Sequence, residues 1–118
     1  MSLTLNDSIA INQIADAIYR FFPGTPHPHG AKHLSFPAIA QELGLGSFWI
    51  GGSKRPAIIR LLEHTLIHKR SSFCWLMIEV VRRGIEKCNN STPVTREEVE
   101  SLNKAILAVS FNLAARQN

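Results

Sequence analysis

Residues 46–67, GSFWIGGSKRPAIIRLLEHTLI, contain the most specific residue choices in the chain. Gly51 and Gly52 predict a tight turn, because residues without a β-carbon adopt positive φ values at little cost. Ser53 is the expected N-cap of the following helix, its hydroxyl accepting a hydrogen bond from an amide of the first turn. Pro56 suits that turn, where its missing N–H costs little. The stretch therefore predicts a helix that begins directly after a glycine corner.

This helix is expected to run from about residue 54 to residue 68. Its apolar residues recur at spacings of three and four, which places them on one stripe facing a core. The residues predicted to be buried are Ile58, Ile59, Leu62, Leu66 and Ile67. The residues predicted to face outward are Arg60, Glu63, His64 and Lys69.

Two helices are predicted before this stretch. The first runs from about residue 7 or 8 to residue 22, with Asn6 or Asp7 as its cap. Residues 24–33, GTPHPHGAKH, follow it and are predicted to be a loop, because they are rich in proline and glycine. The second helix is capped by Ser35 and stopped by Gly44. Its sequence is similar to the first helix of helix-turn-helix proteins, but the next cap follows too late for that motif's short turn.

Two further helices complete the predicted fold. Residues 72–87, SFCWLMIEVVRRGIEK, form the fourth helix, capped by Ser71 or Ser72. Its first half is apolar nearly all round, which is typical of a helix at the centre of a bundle. The fifth helix begins with a capping box in which Thr95 and Glu98 each bond the other's backbone amide. The sequence therefore predicts an all-α, single-domain bundle of about five helices over residues 1–118, with the fourth helix central.

The length and composition of the chain restrict the class of protein to which it can belong. At 118 residues it has the size of one domain, and no apolar run approaches the roughly eighteen residues that a membrane span needs. The N-terminal residues lack the basic and apolar regions of a secretory signal, so we expect a cytoplasmic protein. Cys74 and Cys88 have no Cys-x-x-Cys partner and are expected to be buried free thiols.

Positive charge is concentrated in the middle of the chain. The net charge is +4, and residues 54–87 alone hold eight cations and three anions. Such an excess favours a polyanionic partner, although basic residues also commonly solvate the outer faces of helices. The candidate surface for nucleic-acid or partner binding consists of Trp49, Lys54, Arg55, Arg60, Lys69 and Arg70. The alternative for Trp49 is a buried structural side chain.

The sequence offers little support for catalysis. His64 and His68 lie four residues apart on one helix, so their rings could share a metal, with His27, His29 or His33 completing the site. The His-Glu-x-x-His pattern of zinc enzymes is absent, however, and the glycines lack the spacing of a phosphate loop. We therefore predict no cofactor and no catalytic residue, and we keep a metal-dependent hydrolase as a remote alternative.

A resemblance to a protein family rests on three segments of the sequence. They are LGLGSFWIGGSKRPAIIRLLEHTL, HKRSSFCWLMIEVVRRGI and PVTREEVESLNKAIL. Together, over about residues 36–111, they resemble the N-terminal accessory domain of AbiJ-type abortive-infection proteins and of restriction-endonuclease-associated bacterial defence proteins. The nuclease segment that follows in such proteins has no counterpart in this sequence, so the resemblance transfers no catalytic residue.

The resemblance implies a non-enzymatic interaction or sensor module, an adaptor, in a phage-defence or restriction system. Its partner would be a protein or an effector domain, and a homo-oligomer is compatible with this role. The alternative is a DNA- or RNA-binding domain that uses the basic helix N-terminus formed by Lys54 and Arg55.

Overall fold

The computed structural model describes residues 3–22, 35–89 and 92–117, with side chains described up to residue 109. The described residues form five α-helices and one short 3₁₀ helix and contain no strand. The α-helices are α1 (Leu5–Ile18), α2 (Phe36–Glu42), α3 (Lys54–His68), α4 (Arg70–Cys88) and α5 (Arg96–Gln117), and the 3₁₀ helix is Gly46–Phe48. The all-α prediction is confirmed. The predicted loop at 24–33 lies outside the described residues.

Helix α1 starts and ends earlier than the sequence predicted. Its cap is Thr4, whose Oγ1 accepts from the Asp7 amide at 3.2 Å while the Thr4 amide donates to the Asp7 carboxylate at 3.0 Å. The prediction of Asn6 or Asp7 as the cap was wrong, because Asp7 is the N3 partner in a capping box. The helix ends at Ile18 instead of residue 22.

The caps of α2 and α5 agree with the sequence. The Ser35 hydroxyl accepts from the Ala38 amide at 3.3 Å. At α5, the Glu98 amide donates to the Thr95 hydroxyl at 3.1 Å, and the Thr95 amide donates to the Glu98 carboxylate at 3.2 Å. Each side chain satisfies an amide that the helix itself leaves without a partner. The predicted Ser cap and the predicted capping box are both confirmed.

The corner before α3 is built as predicted, except for its cap. Gly51 and Gly52 have φ angles of 78° and 80°, which other residues rarely adopt. Ser53 is the N-cap residue, but its side chain makes no capping hydrogen bond. Of the residues predicted to be buried on this helix, Ile59 and Ile67 are only half-buried. The face that α3 does bury comprises Ala57, Ile58, Leu61, Leu62, Thr65 and Leu66.

One hydrophobic core joins the helices. Helix α1 packs against α3, α4 and α5, and α4 packs against α1, α2 and α3. The aromatic part of the core is a chain of edge-to-face contacts, with ring centroids 6.5 Å apart for Phe21 and Phe22 and 5.5 Å apart for Phe22 and Phe36. Such geometry suits the ring quadrupoles and adds to the energy of apolar burial. No described helix has the length and apolar character that crossing a membrane requires.

Helix α4 is not buried all round. It packs against three other helices and buries Phe73, Leu76, Met77 and Val80, yet Trp75 is 62% exposed and Ile78 is 52% exposed. These three contacts agree with the predicted central place of α4, although the bundle covers only one face of its apolar first half. Its cap is Lys69, with no side-chain capping bond, instead of Ser71 or Ser72. The Cys74 thiol is exposed, contrary to expectation, whereas Cys88 is buried as predicted.

Candidate functional site

The basic residues predicted to form one surface are spread along the whole length of α3. Lys54 is the first residue of this helix, and Lys69 directly follows its last residue. At 1.5 Å per helical residue, these two positions are separated by about 22 Å along the helix axis. Lys54 and Lys69 therefore do not belong to one compact patch.

At the N-terminal end of α3, Trp49 has a structural environment. Its ring stacks on the core residue Phe36, with centroids 5.9 Å apart and planes inclined by 14°. The Lys54 Nζ lies 4.2 Å from the centre of the Tyr19 ring and 5.9 Å from that of Phe36. Burial, and to a smaller extent the nearby charge of Lys87, lowers the pKa of the Lys54 ammonium. Trp49 thus helps to close the core, and Lys54 packs over aromatic rings.

Two more of the predicted cations already have partners. The Arg55 guanidinium donates to the Asp16 carboxylate at 2.8 Å and to the Asn12 side-chain carbonyl at 3.1 Å, joining α3 to α1. The Lys69 Nζ donates to the Gly44 carbonyl at 3.1 Å. The ion pair with Asp16 offsets the charge of Arg55, and the hydrogen bond to Gly44 occupies one donor of the Lys69 ammonium.

Arg60 and Arg70 differ from the other predicted cations. Within the described ranges, neither guanidinium has a side-chain hydrogen bond or an ion pair. Arg60 is exposed in the middle of α3, and Arg70 begins α4. Two separated guanidinium groups provide a weak electrostatic footprint, because affinity for a nucleic acid grows with the number of phosphates that are neutralised together.

His64 and His68 form an aromatic cluster with Phe48. Both imidazole centroids lie 5.8 Å from the Phe48 centroid and 5.6 Å from each other. Over the described part of the chain, no group of three or more His, Cys, Asp or Glu side chains is arranged to hold a metal. His27, His29 and His33 lie outside the described residues. The two histidines thus have a structural role, since they pack against the 3₁₀ helix.

Two large apolar side chains, Trp75 and Ile78, are exposed on one stripe of α4. Ser71, Trp75, Ile78 and Arg82 are exposed and Ile85 is half-buried, and they follow one another at spacings of four, three, four and three residues. We call these five residues the α4 seam. That spacing places side chains on one narrow stripe of a helix, as in the contact line of a coiled coil. The seam faces away from the core side of the same helix.

An apolar groove of about 430 Å³ borders the seam between α4 and α5. Both helices pack on α1, and the space between their outer faces is left unfilled. The groove is lined by Cys74, Met77, Ile78, Val81, Arg82, Asn103 and Ile106. On α5, Leu107 adds a further apolar side chain that is 67% exposed. The seam and the groove together form an open apolar face.

The seam is bordered by fixed charges. The Glu79 carboxylate accepts from Arg82 and from Arg83, each at 2.8 Å, and Arg83 also donates to Glu42 of α2 at 2.7 Å. The hydrogen bond from Arg82 is the main cause that lowers the pKa of Glu79. Glu79 is therefore ionised at neutral pH, and together with Glu42 it offsets the charges of Arg82, in the seam, and of Arg83 next to it.

Comparisons with protein-family models, with curated proteins and with solved structures find no match to this chain. The resemblance to AbiJ-type domains thus stays a prediction. Sequence reasoning missed the seam, because it assigned Trp75 and Ile78 to the bundle interior. The signal that points to it is the alternating spacing of four and three residues, on a helix with more apolar surface than its neighbours cover.

Proposed function

We propose that the protein is a non-enzymatic protein-interaction module and that its contact surface is the α4 seam with the adjacent groove. The observation that carries this proposal is the exposure of Trp75 and Ile78 on one stripe of α4. Large aromatic side chains are enriched at the centres of protein interfaces, where their burial dominates the binding energy. Covering the exposed part of the Trp75 ring would contribute on the order of 2–4 kcal/mol.

The shape of the groove favours a helical partner. An amphipathic helix can place an apolar stripe between α4 and α5, in the helix-in-groove mode of recognition. Met77, Ile78 and Ile106 line the groove with apolar side chains. The resemblance of residues 36–111 to AbiJ-type domains suggests a phage-defence setting for this interaction.

The nucleic-acid alternative receives less support from the contacts. Arg55 is paired with Asp16, Lys69 is bonded to Gly44, and Trp49 is stacked on Phe36. At the N-terminus of α3, proline at position 56 also removes one of the amides that could bind a phosphate.

Site-specific photo-crosslinking in cells tests the proposal. The photoreactive residue p-benzoylphenylalanine replaces Ile78 in one variant and Glu100 in a control, since Glu100 is exposed on α5 and is not among the groove residues. We expect a discrete adduct from position 78 and none from position 100. Equal adducts from both positions, or none from position 78, would contradict the proposed surface.

A further inference from the structure

We propose that a second copy of this chain covers the α4 seam, so that two α4 helices pack antiparallel about a two-fold axis. This inference rests on the proposed function, because it names the partner of the same surface. An isologous contact requires a surface that is complementary to itself. Over residues 71–82, the α4 seam meets this requirement in spacing, in side-chain size and in charge.

The spacing of the seam matches a helix-helix contact line. Trp75 and Arg82 take one of the two core positions of a heptad, and Ser71, Ile78 and Ile85 take the other. Phe73, Leu76, Met77 and Val80 then fall on the opposite positions, and all four are buried in the protein's own core. One face of α4 can therefore pack in the protein's own bundle while the opposite face packs against a second copy.

An antiparallel register follows from the side-chain sizes. Sliding one helix until Trp75 lies against the partner's Ile78 also places Ile78 against the partner's Trp75, because the axis is two-fold. Arg82 then lies opposite the small side chain of the partner's Ser71, which leaves room for the guanidinium. In this register the contact between Trp75 and Ile78 occurs twice, once on each side of the two-fold axis. Both side chains are therefore buried in each copy.

The flanking positions are compatible with the same register. Cys74 comes beside the partner's Val81, and Ser72 comes beside the partner's Glu79. No like charges meet across these positions, although the whole chain carries a net charge of +4. Glu79 and Glu42 together balance Arg82 and Arg83 within each copy, so little repulsion opposes association along this line.

The size of the seam sets the strength of the dimer. A stable interface usually buries about 800 Å² on each partner. The seam offers two large apolar side chains, Trp75 and Ile78, and one cation, Arg82, at a position that faces the partner. A polar residue at such a position weakens a helix pair. We therefore expect a dissociation constant of the order of micromolar, so that association depends on protein concentration.

Sedimentation velocity of the full chain over a range of micromolar concentrations tests this inference. The wild type is expected to shift from monomer to dimer. Trp75→Glu and Ile78→Lys are each expected to weaken dimerisation at least tenfold, whereas Ile50→Glu, at a comparably exposed position before α3, leaves it unchanged. Circular dichroism establishes that each variant is folded.

Mixing the two charged variants tests the register. In a mixed pair, one layer brings Glu at position 75 against Lys at position 78, and the other layer restores the Trp75–Ile78 contact. The mixture is therefore expected to form a heterodimer although each variant alone does not. A wild type that stays monomeric, or a mixture that fails to associate, would overturn the second-copy inference.

The two proposals fail in different ways. If crosslinking from position 78 captures only another protein and the wild type sediments as a monomer, the interaction surface stands and the second copy is excluded as its occupant. If position 78 gives no adduct and the wild type is a monomer, both proposals fall.

Discussion

The ring of Phe21 lies against the backbone of Gly84, so close that a β-carbon at position 84 would overlap the ring. This contact fixes α4 against the chain just after α1. In Gly84→Ala the ring must move within a packed core, which costs about 1–3 kcal/mol. The gain of about 1 kcal/mol in helix propensity offsets part of this cost, so we expect a net destabilisation of up to about 2 kcal/mol. Urea unfolding measures the effect, and Ser71→Ala, exposed on the same helix, is the control; stabilisation by Gly84→Ala would contradict the contact.

The helix caps give a matched set of substitutions. Thr4→Ala and Thr95→Ala each remove a hydroxyl that accepts from a first-turn amide, and each is expected to cost about 1 kcal/mol of unfolding free energy. Ser53→Ala removes a hydroxyl that makes no capping bond, so its cost is expected to stay below about 0.5 kcal/mol. A cost at Ser53 as large as that at Thr95 would show that the hydroxyl does cap α3.

Stability is expected to fall in acid. The side-chain hydrogen bond from Arg20 lowers the pKa of Glu98 below its ordinary value of 4.5, and that from Arg82 does the same for Glu79. Because the folded pKa is the lower one, the ionised form favours folding. This contribution is complete above about pH 4.5 and is lost as the pH falls through the folded pKa. The urea midpoint should therefore stay nearly level down to about pH 5 and then decrease.

Glu98→Gln isolates one part of this acid dependence. The variant keeps a side-chain carbonyl for the Thr95 amide and for Arg20 but cannot titrate. We expect a smaller drop in the urea midpoint between pH 7 and pH 3.5 than for the wild type. An unchanged drop would mean that Glu98 has the same pKa in the folded and unfolded states.

Nucleic-acid binding is expected to be weak. Fluorescence anisotropy with labelled duplex and single-stranded DNA and RNA, at two salt concentrations, measures it directly. We expect no saturable binding at physiological salt, because Arg55 and Lys69 are engaged within the protein. Micromolar, salt-dependent binding that is lost in the Lys54→Glu/Arg55→Glu variant would favour the nucleic-acid alternative.

Local signals in the sequence identified most of the secondary structure. The glycine corner at Gly51 and Gly52 and the capping box at Thr95 each depend on nearest neighbours, and both are present as predicted. The box at Thr4 was missed because its N3 residue is Asp7, a shorter acid than the usual Glu or Gln. Helix starts were predictable to the extent that one side chain determines them.

The candidate site was less predictable, because it depends on which helices become neighbours. A helix that is apolar nearly all round does not indicate which side the bundle covers, so Trp75 could not be placed outside from periodicity alone. In the same way, the sequence around Arg55 gives no sign of a partner, because its partner Asp16 lies on α1, 39 residues away in the chain. The sequence therefore placed the candidate surface on α3, whereas the tertiary contacts place it on α4.

The exposure of Trp75 is the central claim, and unfolding free energies test it most directly. Trp75→Ser and Leu76→Ala change neighbouring residues of α4, one 62% exposed and the other buried. In urea unfolding at protein concentrations well below micromolar, where the chain is monomeric, Trp75→Ser should cost less than about 1 kcal/mol. Leu76→Ala should cost about 2–5 kcal/mol. A cost for Trp75→Ser as large as that for Leu76→Ala would place the tryptophan in the core and contradict the interaction surface.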